Sequence, residues 1–350
     1  MVIRSRTFIE NYQEDISLFR TIWIKFWFAV LLVAILLLPF VSDQYSLYII
    51  NLSGINIIGA IGLNILIGYT GQISIGHAAF IAIGAYSTTI IGKWLGLSFL
   101  FLIPLSGLIS GLIGVIIGIP CLRLRGLYLA MATLAFGIIV EFFLFHWQSL
   151  TNGPMGMASP PLSIDSFQFD SHLKFFYFIV IVVVILATFA KNMMRMKIGR
   201  AFIAIRDRDI AASIIGVNLT YHKVLAFGIS SFYAGICGSL LAYYMTHINP
   251  ESFNMSMSVE FIAMIIVGGM GSILGSILGA LFMTWVPELL KLICDFLVSS
   301  FDLKGFEFTN QIRVASYGFL IIIFLIFEPA GLAGIWQRVR NYFNKWPFKY

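Results

Sequence analysis

Side chains able to do polar chemistry are sparse in this 350-residue chain, so the places where they gather are informative. The densest island runs from Gly62 to Phe80. It carries Asn64, Gln72, Ser74 and His77, with glycines at 62, 68, 71 and 76. Amide, hydroxyl and imidazole groups in apolar surroundings need partners, and glycines interrupt helices and admit a second backbone. Broken helices of this kind present polar backbone to a solute near the middle of a membrane. The same residues also serve helix packing through small side chains, with Gln72 and His77 bonded to a neighbouring helix. Both readings stand at this point. Thr133 and Glu141 join the candidates for a lining, and Glu141 and Glu260 are carboxylates within apolar runs. A second stretch, Gly268 to Ala280, repeats small residues every three or four positions and reads as a tight helix crossing.

Other chemistries find no support. The chain contains no HExxH, no GxSxG and no paired aspartates that would mark an intramembrane enzyme. It also lacks a Gly-x-x-x-x-Gly-Lys-Ser/Thr phosphate loop, so any ATP must be hydrolysed by a partner. Cys121, Cys237 and Cys294 stand far apart with no nearby histidine pair, which leaves neither a disulfide framework nor a metal site.

The elements that must position these groups follow from composition. Hydrophobic residues make up 59% of the chain and charged residues 11%, against about 25% charged in soluble domains. Lipid must be the solvent. Apolar runs near 22–40, 45–67, 73–91, 96–119, 127–147, 173–190, 222–246, 258–268, 273–297 and 312–328 predict an all-α, polytopic bundle of about ten membrane helices. Eight spans with re-entrant segments are the alternative, because the 258–268 run is short and only Gly268-Gly269-Met270-Gly271 separates it from the next. Most of the 22 basic residues fall at 4–25, at 123–125, at 191–223 and at 338–349. The positive-inside rule then places both termini in the cytoplasm. The expected organisation is a tail over 1–21, a membrane domain over 22–335 and a basic tail over 336–350. No signal peptide is expected ahead of the first run.

The 191–222 segment differs from the rest. Ile203, Ile210, Ile214 and Val217 step along one helical face, Asp207 or Asp209 is placed to cap a helix through Ala211-Ala212, and Gly216 is placed to end it. These features predict a rigid knob docked in a protein groove, with Arg206 and Arg208 at its polar rim. The alternative is a basic helix lying on anionic lipid.

Three motifs carry a resemblance. Gly68-Tyr69-Thr70-Gly71-Gln72 through Gly76-His77-Ala78-Ala79-Phe80 resembles the signature of branched-chain amino-acid ABC-transporter permeases. Leu122-Arg123-Leu124-Arg125-Gly126 through Gly137 is similar to the LivM-type subunit in particular. Arg200, Arg206, Asp209, Ala211-Ala212 and Gly216 resemble the coupling loop, of form Glu-Ala-Ala-x-x-x-Gly, although Ile210 occupies the glutamate position. The resemblance spans about residues 50–335 and implies a multi-pass subunit of the bacterial inner membrane with no cofactor of its own. Implied partners are two ATP-binding cassette subunits that use ATP, a LivH-type second permease and an extracytoplasmic solute-binding protein, besides membrane lipid. Nucleic acid is not among them. The implied cargo is Leu, Ile or Val. Urea or a short amide, and a self-contained secondary transporter or channel using Glu141 or Glu260, remain the alternatives.

Overall fold

Runs of apolar residues without interior charge form helices here because no other backbone satisfies its own hydrogen bonds in lipid. The computed structural model describes residues 26, 30, 36–40, 42–121, 123–124, 126–160, 163–164, 167–168, 172–301, 318–319, 322–324 and 326–345, with the side chains of 163–164, 167–168, 290–301 and 343–345 excepted. The chain divides into two units, Met1–Tyr48 and Ile49–Tyr350. In the first, residues 36–40 are helical. The second unit holds the helices considered below.

In chain order these are α1 (Gln44–Asn64, prolonged by a π-helical turn over Ile65–Tyr69), α2 (His77–Leu95), α3 (Phe99–Cys121), α4 (Leu127–His146) and α5 (His172–Arg195). There follow α6 (Lys197–Asp207), α7 (Asp209–Ile214), α8 (Leu219–Met245), α9 (Met255–Gly268), α10 (Ile273–Phe301) and α11 (Gly331–Lys345). Among the described residues, seven helical stretches are long and apolar enough to cross a membrane, and α10 adds a shorter apolar stretch over Ile273–Leu289. The protein is therefore a polytopic helical membrane protein. The expected spans near 22–40 and 312–328 lie largely outside the described residues. So do Leu122 and Arg125 of the second motif, and the side chain of Cys294.

The short run at 258–268 resolves into a complete helix. The chain enters through a 3-10 turn, Pro250–Phe253, and α9 starts at Met255, capped by the Asn254 side chain accepting from the Met257 amide at 3.2 Å. α9 and α10 are two helices packed closely together around Gly268, Gly275 and Gly279, as the small-residue spacing predicted.

α8 is the centre of the unit, buried along most of its length and packed on both α2 and α3. Gly235 makes this possible. A Cβ there would fall 2.6 Å from the Ser110 Cβ and 2.8 Å from the Ser106 carbonyl oxygen. On the α2 side, a Cβ on Gly84 would strike the Gly235 backbone. The α3 face that receives α8 is the run Gly107, Gly111, Gly114 and Gly118. In contrast α4 buries only Leu129, Ala130 and Thr133 of its core-facing side chains.

The helix ends sort onto two sides. The end of α1, the ends of α3 and α4 that flank residue 123, the α6–α7 loop and the start of α8 share one cavity, lined by Thr70, Cys121, Gly126, Arg206 and Lys223 among others. On the other side β1 (Met157–Ala158) pairs antiparallel with β4 (His247–Ile248) and Pro160 closes on Gly92. A small hairpin of β2 (Ser163–Ile164) and β3 (Phe167–Gln168) lies between α4 and α5 in sequence, and Asp165 and Asp170 fall outside the described residues. Arg123, Arg206, Arg208 and Lys223 thus belong to one face. Asn51-Leu52-Ser53 and Asn218-Leu219-Thr220 match the N-glycosylation pattern by spacing, but both asparagines are structural: Asn51 is buried and donates to the His172 carbonyl, and Asn218 caps α8 by accepting from the Tyr221 amide at 3.1 Å.

Gly84→Val is expected to destabilise the protein by about 1–3 kcal/mol or more through overpacking against α8. Gly137→Ala on α4, where a Cβ meets only the Gly76 Cα at 3.8 Å, is expected to be neutral or stabilising. Thermal aggregation of the detergent-solubilised chain, followed by size-exclusion chromatography, compares the two.

Candidate functional site: two facing helix breaks

Helical order fails at two places, and they face each other. After the π turn at Tyr69, residues 70–76 are not helical and α2 starts only at His77, four residues later than the apolar run predicts. The second break, 269–272, joins α9 to α10. Backbone freed inside a membrane domain must find partners within the protein. Here the polar side chains of the first island supply them.

Asn64 joins the two breaks. Its amide nitrogen donates to the Ser272 carbonyl at 2.8 Å and to the Ser276 hydroxyl at 2.6 Å, and its amide oxygen accepts from the Gly271 amide at 2.8 Å. Along 70–76, Thr70 returns its hydroxyl to the Leu66 carbonyl at 2.5 Å. Gln72 donates to the Thr70 hydroxyl at 3.1 Å and to the Lys223 carbonyl at 3.4 Å, which ties the break to the start of α8. Thr133 of α4 accepts from the Ile75 amide at 3.0 Å while donating to the Ala130 carbonyl at 2.9 Å. Ser258 of α9 accepts from the Ala78 amide at 3.0 Å.

His77 is an anchor in this seam. Its Nε2 lies 3.0 Å from the Gly59 carbonyl, which accepts only, so the Nε2–H donates. The ring meets Phe261 edge-on at 5.4 Å. Asn64, Gln72, Ser74, His77 and Thr133 are thus brought together, all buried. Glu141 is set apart, two turns further along α4, half-buried in a narrow cleft with Asn254 and Ser258.

Arg206 of α6 connects the breaks to the polar loop. Its Nη1 donates to the Gly68 carbonyl at 2.7 Å, one of the carbonyls left open at the end of α1. Its stem lies where a Cβ on Gly71 would fall at 3.2 Å, and its guanidinium lies where a Cβ on Gly271 would fall at 2.6 Å. Glycines of both islands therefore leave room for one arginine. The Arg206 side chain is 42% exposed, so it stands at the polar surface while its guanidinium reaches the open carbonyl. A charge-assisted bond of this kind is worth about 1.5–3 kcal/mol.

The loop itself also departs from expectation. Arg208 is extended (φ −156°, ψ 102°) and separates α6 from α7, so Ile203 does not share a helical face with Ile210 and Ile214. Neither aspartate caps α7 through its side chain. Asp207 instead lies 3.6 Å from Arg206, and Asp209 lies 3.6 Å from Lys223 of α8. The end of the helix is as predicted. Gly216 adopts φ +91°, its amide donates to Ser213 at 3.1 Å, and the Val217 amide donates to Ala212 at 3.0 Å, the paired bonds of a Schellman stop. Ala212 is buried, whereas Ala211 and Arg200 are exposed and Ile210, Ile214 and Ile215 project outward at 66%, 80% and 75% exposure. Cys121 and Cys237 are buried free thiols. The Glu288–Lys291 spacing on α10 falls on a Lys291 side chain outside the described residues.

Residues 45–327 match the family described as the permease component of the branched-chain amino acid transport system. The high-affinity branched-chain amino acid transport permease LivM of Salmonella typhimurium is 33% identical over 71% of this chain and 60% of its own length. LivM of Escherichia coli is 32% identical over the same shares. LivH of Salmonella typhimurium is 27% identical over 56% of this chain and 61% of its own. The chain thus spans about 60% of the length of the LivM relatives it matches. No solved structure matches.

Asn64→Ala is expected to leave the Gly271 amide and the Ser272 carbonyl without their partner, at about 1–3 kcal/mol for each group that stays buried. Hydrogen exchange should rise selectively over 65–76 and 269–272. Exchange unchanged in both segments would refute the staple.

Proposed function

From the branched-chain amino acid permease family, to which this chain belongs, we propose that it is one of two membrane subunits of an ATP-driven importer for Leu, Ile and Val. In this reading about ten helices cross the bacterial inner membrane, both termini are cytoplasmic, and the face carrying Arg206 and Lys223 is the cytoplasmic one. The chain pairs with a LivH-type permease, receives solute from an extracytoplasmic binding protein and draws on two ATPase subunits. Names carried by the LivM and LivH relatives support the cargo and the pairing.

The observation that carries the coupling is the geometry of the α6–α7 loop. Ile210, Ile214 and Ile215 form an apolar knob flanked by Asp207 and Asp209. An exposed apolar knob whose neighbouring carboxylates are matched by Arg206 and Lys223 suits a groove in a protein. Behind the knob, Arg206 holds the Gly68 carbonyl and abuts Gly271. A displacement of the loop by closing ATPases is thereby delivered to both helix breaks, two elements that have alternative arrangements. In the path so opened, Asn64, Gln72, Ser74, His77 and Thr133 would trade their internal hydrogen bonds for the solute, and Glu141 in its cleft would meet the solute's ammonium group. Arg200 would remain an outer contact of the loop.

In the assembled transporter reconstituted in vesicles, Arg206→Met is expected to keep assembly and ATP hydrolysis while uptake of Leu falls about tenfold or more, the size of one charge-assisted bond. Undiminished uptake by Arg206→Met would refute the linkage. Gly216→Val, forced to φ +91° at a cost of about 1–2 kcal/mol, should lose coupling, whereas Gly216→Asn should retain it. Competition of labelled Leu uptake by Ile and Val, but not by urea or acetamide, tests the cargo. Uptake without ATP by the chain alone would favour a secondary transporter.

A further inference from the structure

Beside the α6–α7 loop lies a cavity of about 270 Å³ that no step of the proposed transport cycle uses. Three elements close around it. The first break contributes Thr70 to Gln72, the passage from α3 to α4 contributes Leu124 and Leu129, and the loop contributes Ile205 to Asp209. Lys223 at the start of α8 completes the wall. The volume falls just below the roughly 300–1,000 Å³ of ordinary ligand pockets, which limits an occupant to few atoms.

The lining is chemically mixed, and that narrows the occupant. Leu124, Leu129 and Ile205 form an apolar wall, while Arg206, Arg208 and Lys223 stand with Asp207 and Asp209. Arg206 matches Asp207 and Lys223 matches Asp209, each at 3.6 Å, longer than the roughly 2.7–2.9 Å of a direct charge-assisted hydrogen bond. Asp207 therefore keeps acceptor positions for a further donor. Arg208 has no hydrogen-bond or ion-pair partner among the described residues, so it is the cation left over. A simple anion would meet Arg208 but would also be set against both carboxylates. A simple cation would meet an excess of basic groups. A molecule with both charges and an apolar body satisfies every part of the lining: its carboxylate on Arg208, its ammonium on Asp207, its side chain on the leucines.

We infer that this cavity is a cytoplasmic binding site for an apolar α-amino acid, the transported one, and that its occupation slows import. The inference rests on the cargo and orientation proposed above. Bound there, the amino acid ties the α6–α7 loop to the start of α4, the least buried of the membrane-crossing helices. A ligand that favours one arrangement of the loop holds the population in it. Accumulated product thus restrains the loop that drives its own import.

The assembled transporter in vesicles loaded with ATP, with binding protein and labelled leucine outside, tests it. Unlabelled leucine enclosed with the ATP is expected to slow initial uptake saturably. Enclosed 4-methylpentanoate, which is leucine without its ammonium group, and enclosed phosphate should not. Arg208→Gln should raise the enclosed leucine needed for half-inhibition about fivefold, each variant being compared with its own uptake into leucine-free vesicles. Leu124→Trp, which fills the apolar end, should abolish the inhibition. Lys197→Gln, an equal change of charge at the start of α6 and outside the cavity, should leave it unchanged. Should a variant fail to fold, the three enclosed compounds decide with wild type alone. Uptake indifferent to enclosed leucine would overturn the site, and so would equal inhibition by 4-methylpentanoate or phosphate. Inhibition unchanged in both Arg208→Gln and Leu124→Trp would return the product to the translocation path and overturn it too. Absence of leucine uptake into leucine-free vesicles would refute the cargo, and with it the ligand named here, whereas uptake blind to the vesicle interior refutes the cavity alone.

Discussion

Non-helical backbone inside a membrane domain must be satisfied by the protein itself, and nearly everything distinctive in this molecule follows from meeting that demand at two places. Residues 70–76 and 269–272 release amides and carbonyls that lipid cannot accept. Asn64 and Thr133 meet some of them, while Ser258 and Arg206 meet the Ala78 amide and the Gly68 carbonyl at the helix ends beside the first break. Polar side chains of this kind are costly in a bilayer, and their cost is offset only while the breaks keep this arrangement. The seam is therefore held by bonds that a change of state must exchange together rather than one by one, which suits two discrete conformations better than a continuum.

A frame stiff enough to hold the seam comes from close crossing of α2, α3 and α8. Helices without a hydrophobic driving force between them gain from dispersion contacts at short range, and small residues bring the axes near. Gly84, Gly107 and Gly235 do this where the three helices meet. α4 contributes little to that frame but lends Thr133 to the first break and Glu141 to the cleft beyond it. A helix so lightly packed is the element best able to move relative to the rest.

What the sequence disclosed follows the range of the interactions. Membrane spans rest on local apolar length, and those from α1 to α9 are readable to within a few residues. The first island is legible as a cluster of groups needing partners, and so is the helix stop at Gly216, which depends on six consecutive residues. The partners themselves were not legible. Asn64 bonds to residues 207 to 212 positions away, and no periodicity carries that information. Arg206 reads as a rim residue from its polar neighbours, and its bond to the Gly68 carbonyl, 138 residues distant, is invisible in that reading. The shared face of Ile203 and Ile210 failed for a local reason: one extended residue, Arg208, resets the helical phase. The spacing of Gly107, Gly111, Gly114 and Gly118 carries the α3–α8 crossing in the sequence itself, without any polar residue to mark it.

The face with the basic residues carries two amphipathic helices. α7 turns Ile210 and Ile214 outward, and α11 turns Ile335, Trp336, Val339 and Tyr342 outward. Both helices reach the 269–272 turn, α7 indirectly through Arg206 and α11 through Gly331. Gly331 leaves no room for a Cβ against the backbone of Val267 to Gly269, and Arg206 leaves none on Gly271, so α11 and α6 constrain the same short turn and neither can be repositioned without disturbing it.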